Sequence, residues 1–153
     1  MEGNAMPQFF VTPGYGPRHL EALHYSQAVR IGDRVEISGQ GGWDDHTVFP
    51  EALEDEIVRA FDNVERTLAT AGATWADVVS VDSFHLAAGA IGEEHTGVMV
   101  EQFRRRMGDR APIWTQIGVA GLGAPGMRVE IRVSAVAGPA PAGRGGENED
   151  HGR

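Results

Sequence analysis

Cysteine is absent from the 153-residue chain. That removes disulfide frameworks, thiol nucleophiles and Cys-zinc sites together, and it accords with the reducing cytoplasm expected as the compartment. Long apolar runs are also lacking: none approaches the roughly 18 residues of a membrane span. Met1 to Pro13 does not follow the basic, hydrophobic and small-residue order of a signal peptide, so a soluble protein is expected. Positive charge is scarce, 13 Lys+Arg against 22 Asp+Glu, for a net charge of −9. Such a surface repels phosphate backbones and anionic lipid, so neither nucleic acid nor membrane is expected as a partner. His19, His24, His46, His85, His95 and His151 form no HExxH and no i, i+4 pair. Gly39-Gln40-Gly41-Gly42 lacks GxGxxG and has no Lys-Ser/Thr after it, and GxSxG is missing. Neither a metal nor a cofactor is expected.

What is present is a chain with 41% hydrophobic and 23% charged residues, enough apolar surface for one folded domain. That domain is placed at residues 15–137. Residues 1–14 form an N-terminal extension that Phe9, Phe10 and Val11 leave undecided, and residues 138–153, mostly Gly, Pro and charge with no periodic apolar residue, are expected to be a disordered tail. Tyr25–Val29 and Arg34–Ser38 flank Gly32-Asp33 as a β-hairpin. Ser38 to Gly42 breaks any ladder, since glycines permit close approach of other atoms. From Pro50, suited to a first helical turn, Ile57, Ala60, Phe61, Val64, Leu68 and Ala71 follow helical spacing, with acidic residues at the start and Gly72 at C′. Asp77–Leu86 reads as a strand and Glu93–Met107 as a second helix. Ile113–Val119 and Met127–Val136 alternate as the last two strands. The order β-β-α-β-α-β-β predicts an α+β layer with both helices on one sheet face.

Two helices leave the other face of such a sheet uncovered. The alternation assigns Trp114 and Gln116, with Arg128, Glu130 and Arg132, to that face, a mixture suited to a subunit interface with a wet cleft. Glu130 is the candidate proton acceptor, kept ionised by the arginines two residues to either side. Tyr25 and Ser38 are candidate hydrogen-bond donors, and Trp114 a flat apolar wall.

Tyr25-Ser26-Gln27-Ala28-Val29, Ser38-Gly39-Gln40, the helix carrying Asn63 with Ala71-Gly72 and Asp77-Val78-Val79, Pro112, and Val129-Glu130-Ile131 occur in the order and spacing of one family. Over about Leu23 to Val136 the chain resembles the reactive-intermediate deaminases, RidA/YjgF. The resemblance implies a chorismate-mutase-like fold, a homotrimer around a central β-barrel with clefts between subunits, and hydrolysis of enamines or imines to ketones and ammonia. It carries over Tyr25, Ser38, Gly39 and Glu130, the last resembling the glutamate that orients the attacking water. Trp114 stands where members with that activity have an arginine that clamps the substrate carboxylate. His95 or Thr96 occupies the place of an asparagine, and Gln116 that of a small residue. The site expected is therefore catalytic Glu130 with Tyr25, Ser38, Gly39, Trp114, Thr115 and Gln116 binding a small molecule other than the 2-iminopropanoate type. The rival expectation is a non-enzymatic trimer that binds a metabolite or a protein. A ribonuclease or translation-inhibitor role is opposed by the acidity.

Overall fold

The computed structural model describes residues 5–138. Most of the expected tail lies outside them. The chain runs β1 (Gln8–Phe10), α1 (Gly16–Leu23), β2 (Ala28–Ile31), β3 (Arg34–Ile37), β4 (Gln40–Gly41), α2 (Leu53–Thr70), a 3-10 turn (Trp75–Asp77), β5 (Val78–Leu86), α3 (Glu93–Met107), β6 (Ile113–Val119) and β7 (Val129–Val136). One sheet is built in the order β1-β2-β3-β7-β5-β6, with β4 also pairing β7. β5 and β6 are parallel and the other pairs antiparallel.

Local chemistry explains the main elements. Gly32, at φ 62°, and Asp33 close the β2–β3 hairpin, in which Ile31 pairs with Arg34. α2 carries Glu54, Asp55 and Glu56 in its first turn and ends with Gly72 at φ 78°, the left-handed C′ residue its sequence predicts. It starts at Leu53, with Ala52 as N-cap, so Pro50 precedes the helix instead of opening it. Ile57, Ala60, Phe61, Val64 and Leu68 of α2 pack with Val98 and Met99 of α3 on Val129, Ile131, Val133 and Ala135 of β7, all in one buried cluster. Phe61 is fully buried and stacks on Trp75 at 4.9 Å. Arg106 of α3 reaches Asp62 of α2 at 2.6 Å, which ties the two helices together.

Two elements were not legible as such. β1 adds Phe9 and Phe10 to the sheet edge, pairing them with Val29 and Ala28. α1 has Pro in its first turn and ends on His24 in the left-handed conformation at φ 56°. The opposite sheet face carries neither of the long helices α2 and α3 and presents Phe84, Ile117, Glu130, Arg132 and Ser134, with Ile113 73% exposed.

The face assignments made from alternation need two corrections. In β6 the register pairs Trp114 with Val81 and Gln116 with Ser83, residues of β5 that are buried beneath the helices. Trp114 and Gln116 therefore point to the helix side, while Ile113, Thr115 and Ile117 face the open side. Arg128 lies before β7 and turns to α2. Its Nε donates to Glu56 Oε1 at 2.7 Å and its backbone N–H to Glu56 Oε2 at 2.7 Å, while its Nη2 donates to the carbonyls of Pro50 and Glu51. The Glu56 side chain is fully buried. Removing the guanidinium strands that carboxylate, so Arg128→Ala is expected to cost about 3 kcal/mol in chemical denaturation. A loss under 1 kcal/mol would show that the pair does not anchor α2 to β7.

Candidate active site

β3 and β4 pair the same edge of β7, β3 opposite Ser134, Ala135 and Val136 and β4 opposite Glu130 and Ile131. Between them Ser38 and Gly39 leave the ladder, and Gly39 meets the Glu130 side chain. A Cβ on Gly39 would overlap that carboxylate, with Cδ 2.5 Å and Cγ 2.7 Å away. The glycine is thus required by close approach, as the glycine run suggests. Gly42 is similarly constrained: a Cβ there would run into the Glu56 backbone carbonyl.

The segment is held from both sides. Asn63 Nδ2 donates to the carbonyls of Gly41 and Trp43, each at 2.8 Å. Gln40, fully buried, accepts the Tyr15 hydroxyl and donates to the carbonyl of Ser38 at 3.1 Å. The Ser38 hydroxyl donates to Gln27 O at 3.3 Å. These bonds set the positions of both residues that face Glu130 before any ligand arrives.

A cavity of about 800 Å³ opens over this point on the open face, lined by Tyr25, Ser38, Gly39, Glu130, Arg132 and Phe84 among others. A second cavity of about 270 Å³ shares Tyr25, Ser38, Gly39 and Glu130 with the first and continues toward His19, Trp43 and Met127. The Tyr25 hydroxyl lies 3.0 Å from His19 Nδ1. Burial pushes the Tyr25 phenol up, so it is a proton donor at neutral pH, and burial, with Arg18 nearby, pushes His19 down, so the imidazole is neutral. Gln27 Nε2 and Trp43 Nε1 are the buried side-chain polar atoms without a hydrogen-bond partner among the described residues, and each belongs to a residue lining one of the two cavities. Such orphans are rare in folded proteins and call for an explanation.

Glu130 does not behave as its flanking arginines suggest. Arg128 is committed to Glu56, and no salt bridge joins Glu130 to another described residue. Burial alone pushes its carboxyl up from the ordinary range. A half-buried carboxylate free of ion pairs keeps its basicity, which a charged partner would lower.

Of the seven expected site residues, the structure brings together Tyr25, Ser38, Gly39 and Glu130. Thr115 lies on the open face of β6, outside the lining of either cavity. Trp114 and Gln116 join a buried network under α3. Trp114 Nε1 donates to Ser83 Oγ at 2.9 Å, and Ser83 Oγ lies 2.8 Å from His85 Nε2. His85 Nδ1 lies 2.9 Å from His95 Nδ1, and Gln116 Nε2 donates to Thr96 Oγ1 at 3.2 Å. The Trp114 ring packs edge-on against Phe103 at 5.1 Å. His19, Trp43 and Met127 line the smaller cavity and carry no sequence motif that marks them, while Arg132, expected on the open face with Glu130, lines the larger one. Pro17 at the first turn with Leu20 and Leu23 following was the available sign of the helix that brings His19 in.

Residues 18–137 match the protein family described as Endoribonuclease L-PSP. The chain belongs to the RidA/YjgF family. The RutC family protein YjgH of Escherichia coli (strain K12) is 38% identical over 122 residues, covering 78% of this chain and 88% of YjgH. A 2-iminobutanoate/2-iminopropanoate deaminase of Dermatophagoides farinae is 39% identical over 62 residues, covering 39% of this chain and 48% of that one. Among solved structures, Rv2704 of Mycobacterium tuberculosis, a member of the YjgF/YER057c/UK114 family, superposes with a TM-score of 0.69. It is 26% identical, and the match covers 86% of this chain and 99% of Rv2704. The α+β fold with both long helices on one sheet face is thus the fold of this RidA/YjgF member.

The contact between Gly39 and Glu130 makes a direct prediction. Gly39→Ala must displace the carboxylate or the loop, at a cost of about 1–3 kcal/mol for overpacking. Thermal unfolding is expected to drop accordingly, and a crystal structure of the variant to show Glu130 rotated away from residue 39. An unmoved Glu130 with wild-type stability would contradict the packing described.

Proposed function

We propose that the protein hydrolyses a reactive imine or enamine metabolite, with Glu130 as the general base. The observation that carries this reading is the Glu130 carboxylate itself. It is desolvated, free of ion pairs, seated against Gly39 and open to a cavity large enough for a small molecule. The deaminase name of the Dermatophagoides relative supports the reaction class. All 13 cationic side chains of the sequence are arginines. With no lysine side chain to form a Schiff base and no cysteine to add to the carbon, water is left as the nucleophile.

The chemistry then follows from one carboxylate. Glu130 takes a proton from water as the water oxygen bonds to the C=N carbon, and the nitrogen regains that proton to give a carbinolamine. The carbinolamine hydroxyl loses its proton to the same carboxylate, the nitrogen takes it up, and the C–N bond breaks to give ketone and ammonia. An enamine enters the same sequence after protonation at carbon. Tyr25, protonated at neutral pH, is the hydroxyl that orients the substrate or water beside Glu130.

The substrate differs from the 2-iminopropanoate type in where its charge is held. Residue 114 is an indole turned under α3, so it offers no guanidinium to an acid group. Arg132 lines the larger cavity instead, two residues from Glu130 on the same face and roughly 7 Å along the strand. That spacing favours an anionic group standing farther from the C=N carbon. Phosphate backbones are disfavoured in a cavity that also holds Glu36, on a chain of net charge −9. We further propose that the open sheet face, with Phe9, Ile113 and Ile117 exposed on it, is covered by assembly into a homotrimer.

Ammonia release from a panel of enzymatically generated imines is expected to exceed background, and to fall to background in Glu130→Gln. Its acid limb should lie above the ordinary glutamate range of about 4.3. Stability should change the other way. A carboxyl whose folded pKa is raised destabilises the fold once ionised, and that penalty vanishes below the unfolded pKa. Glu130→Gln is therefore expected to melt higher than the wild type at pH 7 and no higher in strong acid. Saturable metabolite binding with no Glu130-dependent turnover would establish the non-enzymatic alternative.

Assembly is tested separately by sedimentation, in which the mass of three chains is expected. A monomer at micromolar concentration would remove the trimer.

A further inference from the structure

We infer that the smaller cavity is a subsite for a flat aromatic substituent of the substrate, held against the wall that Trp43 and His19 form together while the reacting carbon stands at Glu130. The inference rests on the proposed reaction for its chemistry, but the site itself is built from independent observations. The two cavities share Tyr25, Ser38, Gly39 and Glu130, so a molecule reacting at Glu130 has its substituents divided between them. They differ in kind. The larger one adds the cation Arg132 and the acid Glu36 to the shared Glu130; the smaller one contains Glu130 as its single carboxylate and no cation. An anionic group finds a cationic partner, Arg132, in the larger lobe and none in the smaller, which leaves the smaller to the uncharged end.

Its walls are aromatic and fixed. Trp43 is 6% exposed and meets Tyr15, His19 and Phe49 edge-on at 5.5, 5.3 and 6.4 Å. Asn63 holds its carbonyl at 2.8 Å. His19 stacks along Tyr25 at 6.1 Å, and burial keeps it uncharged. Offset and edge-on contacts of this kind suit another ring, and Met127, buried in the same cluster as Trp43, supplies an adaptable thioether. Size agrees as well: an apolar cavity of about 150 Å³ takes benzene. The 270 Å³ here takes a substituted or bicyclic ring and is far too roomy for a methyl group.

Gly123 provides the test, because it lines this cavity, has no left-handed backbone, and a Cβ there meets nothing within 4 Å. Gly123→Leu is expected to fill the lobe while leaving the backbone unstrained. Imines generated by an amino-acid oxidase from phenylalanine, tryptophan and alanine are compared by kcat/KM in both proteins, with melting temperature as the check on folding. In the wild type the aromatic imines are expected to exceed the alanine-derived one at least tenfold, and Gly123→Leu to shrink that ratio at least tenfold. Glu130-dependent turnover with a flat ratio, or a ratio unmoved by Gly123→Leu, overturns the subsite and leaves the proposed reaction standing. If neither these imines nor any of the wider panel, including ones whose acid group stands farther from the C=N carbon, is turned over, the reaction fails, and indole binding measured by calorimetry decides the lobe. Saturable binding to the wild type that is lost in Gly123→Leu supports it, and no binding overturns it. Should Gly123→Leu melt well below the wild type, Ala124→Leu on the same wall is read in its place, with the same two outcomes.

Discussion

The site depends on one close approach, the Glu130 carboxylate filling the space where residue 39 lacks a Cβ. Because β3 and β4 share a single edge of β7, the chain must break ladder pairing between them, and Ser38 and Gly39 are the residues released. Glu130 is then pressed against backbone instead of water, and its carboxyl rises for want of solvent, not because another acid is near. The hydrogen bonds that anchor this loop come from far along the chain. Asn63 of α2 reaches Gly41 and Trp43, and Tyr15 reaches Gln40. The two long helices thus do more than close the core, since α2 sets the loop that shapes the candidate site from the opposite side of the sheet.

Much of the fold could be read from periodicity. α2 buries the residues that its 3.6 spacing selects, and β7 alternates as written, with Val129 to Ala135 inward and Glu130 to Ser134 outward. Tyr25, Ser38, Gly39 and Glu130, grouped together from the sequence, do line one cavity. The orientation of β6 was not, because a strand pattern is unchanged when the strand is turned over. Ile113, Thr115 and Ile117 make as plausible an inner face as Trp114 and Gln116 do. What decides it is a partner elsewhere: Ser83 for the indole and Thr96 for the amide. The same holds for Arg128. Two residues from Glu130 in sequence, it is claimed by Glu56 some 72 positions away, and a one-dimensional reading favours the neighbour.

α1 escaped notice because it is only eight residues long, opens on Gly16-Pro17, and has no acidic residue in its first turn or basic residue in its last, yet it brings His19 and Leu23 to the smaller cavity. The aromatic wall anticipated at Trp114 exists, but Trp43 and His19 supply it. An indole was the right material in the wrong place. This exchange matters for chemistry, since Trp43 stands on the same side as Glu130, whereas Trp114 is separated from it by the sheet.

The paired imidazoles beneath α3 have a consequence of their own. His85 Nδ1 and His95 Nδ1 face each other at 2.9 Å, so a single hydrogen must serve both rings, one donating and the other accepting. Burial pushes His85 down to about 4. Between an unfolded value of about 6.5 and that figure, the denatured chain binds the extra proton and the native chain refuses it, so stability drains away as the medium acidifies. Acid therefore acts first on the seam that fastens α3 to β5. Trp114, hydrogen-bonded through Ser83 to this pair, becomes a natural fluorescent reporter of that seam's loosening.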